Sequence, residues 1–60
     1  MLVGKQEIVE WLAEAGDERN AFEVEGALPE HVDTDQDREL LESYGVNIES
    51  LLERHQRKGA

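Results

Sequence analysis

The sequence predicts an all-α domain, with three to four short helices in a compact bundle that ends in a C-terminal helical hairpin. Three observations predict it. Apolar residues recur three and four positions apart, the spacing of one helix face. Gly16 and Gly45 follow such runs directly, where helices commonly stop. No segment alternates polar and apolar residues in the manner of a half-buried strand.

The first helix is expected over residues 4–15. Ile8, Trp11, Leu12 and Ala15 make one apolar stripe with Val9 at its edge, while Glu7, Glu10 and Glu14 take the other face. Gly16 is its C-cap, and Asp17 caps a second helix running to about Leu28. That helix has a thinner apolar set, Ala21, Phe22, Val24 and Leu28, with Gly26 inside it. Pro29 ends it, because the residue before a proline is pushed out of the α region.

Residues 29–33 read as a connector. Thr34 and Asp37 have the spacing of a capping box, and with Asp35 they place acids at the positive end of a third helix. Leu40, Leu41 and Tyr44 are its expected buried face, and Gly45 stops it. Asn47 caps a last helix whose apolar face is Ile48, Leu51, Leu52 and His55. Residues 1–60 thus form a single small helical domain.

Sixty residues bearing a net charge of −9, with no cysteine, bound the function. So short a chain buries only about 60% of the surface its unfolded form exposes. Without a disulfide to help, it is expected to gain stability by self-association. Residues 1–52 carry fourteen of the fifteen acids against Lys5, Arg19 and Arg38; Arg54, Arg57 and Lys58 cluster at the end. An acidic body repels phosphate, so nucleic acid and anionic membranes are disfavoured partners and basic proteins are favoured ones. No apolar run approaches the about 20 residues that cross a bilayer, and no charged leader precedes an apolar stretch. Both point to the cytoplasm.

Chemistry-bearing patterns are sparse. Asp33, Asp35 and Asp37 alternate as at the start of an EF-hand loop, but the sixth and twelfth positions hold Arg38 and Tyr44 in place of glycine and glutamate. Capping explains these acids more simply. His31 has Glu30 and Asp33 near it, yet two isolated histidines, His31 and His55, do not make a zinc site. No hydroxyl has a base and an orienting partner in sequence, and there is no glycine-rich phosphate loop. No catalytic, cofactor or metal residue is therefore assigned.

Residues 37–57 have the spacing of a helix-turn-helix, with Leu40, Tyr44, Val46 and Leu51 as its apolar set. Against that reading, Leu41 fills a place that wants a small residue, and the second helix opens with Glu49 and Glu53, the wrong charge for DNA. Rows of carboxylates suggest another alternative, an inhibitor that mimics nucleic acid in the basic groove of another protein.

The stretch Leu28-Pro29-Glu30-His31-Val32-Asp33-Thr34-Asp35, followed by Leu40-Leu41 and Gly45-Val46-Asn47, resembles a pattern in short, uncharacterised acidic proteins of actinobacterial type. The resemblance implies a bacterial, cytoplasmic helical protein and carries no functional residue.

The reading that fits best is a non-catalytic module for protein–protein interaction. Trp11, Phe22 and Tyr44 are expected in the core, and any of them left exposed would mark an interface. Arg54, Arg57 and Lys58 are expected to complement the dipole of the last helix or to anchor an acidic partner, including a second copy.

Overall fold

The computed structural model describes residues 1–57 in full and the helix backbone at Lys58. Its element order is β1 (Leu2–Gly4), α1 (Lys5–Glu14), α2 (Glu18–Ala27), β2 (His31–Asp33), α3 (Arg38–Ser43) and α4 (Ile48–Lys58). The fold is therefore a small α+β arrangement, not the all-α bundle that the periodicity predicts.

The correction lies in one antiparallel strand pair. β1 and β2 pair with Leu2 opposite Asp33, Val3 opposite Val32 and Gly4 opposite His31. Hydrogen bonds beyond both ends lengthen the ladder: Lys5 N donates to Glu30 O at 2.8 Å, and Thr34 N donates to Met1 O at 2.8 Å. Val3 and Val32 point inward and are buried. Three-residue strands are too short to display a period of two, and the partners lie far apart in sequence, so no local pattern announces them.

Thr34 is corrected too. It caps no helix: its hydroxyl donates to Met1 O at 3.1 Å, and the side chain is buried against the strand pair. Asp33 does the local capping. Its Oδ1 accepts from Asp35 N at 2.8 Å and Gln36 N at 3.1 Å, folding residues 33–37 into a turn ahead of α3. Asp37 is the cap residue of α3 but makes no side-chain cap bond.

The two glycine stops are as expected, and each is a Schellman closure. Gly16 (φ 85°) donates to Ala13 O, and Asp17 N reaches back to Leu12 O. Gly45 (φ 81°) donates to Glu42 O, and Val46 N reaches Leu41 O. Asp17 then starts α2 by accepting from Asn20 N at 3.2 Å, and Asn47 starts α4 by accepting from Ser50 N at 2.9 Å. α2 ends on an extended Leu28, as Pro29 requires.

The core joins Ile8 and Leu12 of α1, Ala21 and Val24 of α2, the strand valines, Leu41 of α3, and Ile48 and Leu51 of α4. α1 packs most extensively on α2, while α4 closes over α1 and α3. Three residues of the expected apolar faces lie outside it: Ala15 is exposed, Phe22 is 82% exposed and Leu40 is 43% exposed. The reason is geometric. α2 buries Ala21 and Val24 and leads into buried Leu28, which turns position 22 some 200° from Val24 at about 100° per residue. Leu41 takes the inward direction of α3, and its neighbour Leu40 faces out.

Among the described residues, no helix is long and apolar enough to cross a membrane.

Candidate docking face

Two surfaces hold the residues singled out by sequence. The first is the seam between α1 and α4. Glu7, Glu10 and Glu14 follow one another at three- and four-residue spacing on α1 and so share a face. Across the seam, Arg54 donates from Nε to Glu14 Oε1 at 3.3 Å and from Nη2 to Glu14 Oε2 at 2.8 Å. Its Nη2 also reaches Glu10 Oε1 at 3.4 Å. The fork to Glu14, with the nearby charge of Glu10, raises the Arg54 pKa above its ordinary value and fixes it as a cation. One turn along the seam, His55 Nδ1 sits 2.9 Å from Glu7 Oε1, whose side chain is only 11% exposed.

Arg54 is thus engaged within the chain, its side chain 19% exposed. Its Nη1 is buried and has no hydrogen-bond partner among the described residues. Trp11 and Tyr44 are half-buried and packed on the core. Trp11, Arg54 and Arg57 come together along a shallow groove of about 280 Å³, completed by Glu14, Ala15 and Ser50. Arg57 is exposed and lies 3.8 Å from Glu53 of its own helix. The side chain of Lys58 lies outside the described residues.

The second surface is the outer face of α2, where Phe22 stands apart from the other two aromatics. Glu18 and Glu25 lie four before and three after Phe22, which puts them on its flank. Arg19 and Gly26 lie on the other side, with Glu23 beyond. All six are solvent-exposed. Among the described residues, Glu18, Arg19 and Glu23 have no ion-pair partner, and Glu25 has only Lys5, at 3.8 Å. Sequence reasoning placed Phe22 in the core because an aromatic is usually buried. The signal for the opposite was present: Ala21, Val24 and Leu28 already define the buried stripe, and Phe22 is off it.

A groove of about 440 Å³ beside Gly4, Lys5, Gln6, Glu30 and His31 is open and holds an exposed histidine. Among the described residues, no three histidine or carboxylate side chains gather as metal ligands. Compared with protein-family models, curated proteins and solved structures, the chain matches none of them.

Proposed function

We propose that this chain is a small acidic, non-catalytic protein-interaction module that docks a partner protein through the outer face of α2. The observation that carries the reading is Phe22, 82% exposed in the middle of a helix whose other large apolar residue, Val24, is buried. An aromatic left this exposed supplies the buried anchor typical of an interface hot spot. The glutamates around it form a polar rim. The acidic body favours a basic partner and speeds encounter with one.

The test compares the wild type with Phe22→Ala, each immobilised and challenged with lysate of the source organism. Phe22→Ala should melt like the parent, within about 0.5 kcal/mol, because surface substitutions away from packing have small effects. A specific protein should be retained by the wild type and lost with Phe22→Ala, and that protein, tagged in turn, should recover the chain. Equal retention by both would remove α2 as the docking face.

A further inference from the structure

We propose that the occupant of the α2 face is a basic amphipathic helix of the partner, seated on Phe22 and crossing α2 at Gly26. This rests on the reading of α2 as the docking face and adds the chemistry of what docks there.

A single exposed apolar side chain is ordinary on a protein surface, so Phe22 alone would carry little. Gly26 is the second, independent observation. It lies one turn beyond Phe22, at the next-to-last residue of α2, where glycine still weakens a helix relative to alanine, though less than in its middle. Among the described residues the positive-φ glycines are Gly16 and Gly45, not Gly26, and a Cβ built at Gly26 would meet no described atom within 4 Å beyond its own stretch of helix backbone. The helix gives up some stability at that position, and no described side chain fills the space. What a missing side chain supplies instead is close backbone approach by another chain.

Phe22 and Gly26 therefore make a knob beside a notch. A facing helix suits both. Four of its residues form a hole for an inserted side chain, and small residues at a crossing let helix axes draw together. Charge selects the kind of helix. Glu18 and Glu25 border Phe22 on one flank and Glu23 lies beyond Gly26; against them stand Arg19 on the helix itself and Lys5, which reaches Glu25 from α1, so the acids left unpaired among the described residues are Glu18 and Glu23. A helix with an apolar stripe flanked by lysine or arginine complements them. A second copy of α2 would set these glutamates against their own kind, and phosphate would be repelled.

The experiment titrates the isotopically labelled full chain with a synthetic helical peptide that has a leucine stripe flanked by lysines. A scrambled peptide of the same composition and one with glutamates in place of the lysines are the controls. Saturable amide shifts should concentrate on Glu18–Ala27 with the first peptide alone, and affinity should fall as salt rises. Phe22→Ala should weaken binding by roughly tenfold or more, as loss of a hot-spot aromatic does. Gly26→Leu should weaken it comparably, while Gly26→Ala raises the melting temperature, which shows that the notch is not needed for folding.

Shifts scattered over all acidic segments, equal binding of the scrambled peptide, or unchanged affinity in Gly26→Leu would overturn the inference. So would a Phe22-dependent dimer in sedimentation without peptide, since a second copy would then be the occupant. If the peptide fails while a Phe22-dependent partner is recovered from lysate, the helix is wrong and α2 docking survives. If neither depends on Phe22, both fall.

Discussion

His55 and Glu7 join the last helix to the first through one nitrogen and two oxygens: His55 Nδ1 lies 2.9 Å from Glu7 Oε1 and 3.0 Å from Oε2. Glu7 is largely withdrawn from water, so its carboxylate depends on this partner. His55→Ala is expected to cost about 1 kcal/mol, below the roughly 1.5–3 kcal/mol of a hydrogen bond to a charged group, because His55 itself is part-exposed. A double-mutant cycle with Glu7→Ala, followed by thermal melts, should show coupling between the two positions. Strictly additive losses would mean that the pair contributes nothing as a pair.

Leu51 carries the apolar docking of α4 and is fully buried. Leu51→Ala should destabilise by roughly 2–5 kcal/mol, the range for buried leucine truncation. In so small a domain that loss should abolish cooperative unfolding by denaturant. A parent-like transition would show that α4 is not docked as described.

Asp33 links acid stability to the turn before α3. The Gln36 and Asp35 amides, with the Met1 ammonium nearby, hold its carboxyl below the ordinary carboxylate value. A carboxylate depressed in the folded state contributes stability that is present above its ordinary value and is lost as pH falls through the folded one. Asp33→Ala should therefore lower the melting temperature at about pH 7 and differ much less from the parent at about pH 2. An equal deficit at both would assign the loss to packing instead of charge.

Gly45 and Gly26 should respond oppositely to alanine. At Gly45 the backbone is left-handed, and a Cβ would sit 3.4 Å from both Asn20 Nδ2 and Asp17 Oδ2. Gly45→Ala should cost roughly 1–2 kcal/mol from the backbone alone. Gly26→Ala, in open space near the end of α2, should gain up to about 0.5 kcal/mol. Melting both variants beside the parent checks the two signs, and a loss at Gly26 would mean that the position has an internal role.

What was legible in the sequence is what is local. Gly16 and Gly45 stop helices, and Asp17 and Asn47 start them, because each acts on backbone groups within a few residues. Val3 and Val32 were not legible as strand partners, since their pairing needs the intervening helices to bring two three-residue segments together. Thr34 was misread for the same reason: its acceptor, Met1 O, is distant in sequence, whereas a capping box is a local pattern. The Arg54 fork also spans the chain, so local pattern assigns its cation to the dipole of α4 or to an acidic partner and not to Glu14. At Phe22 the helical period and the usual burial of aromatics disagreed, and the period was right.

The central claim is that α2 meets a protein at Phe22. Its most direct test places a photo-crosslinking benzoylphenylalanine at position 22 in cells of the source organism, with the same group at exposed Gln56 on α4 as control. Irradiation should yield one discrete protein adduct from position 22 that is absent from position 56. No adduct from position 22, or the same adducts from both positions, would contradict it.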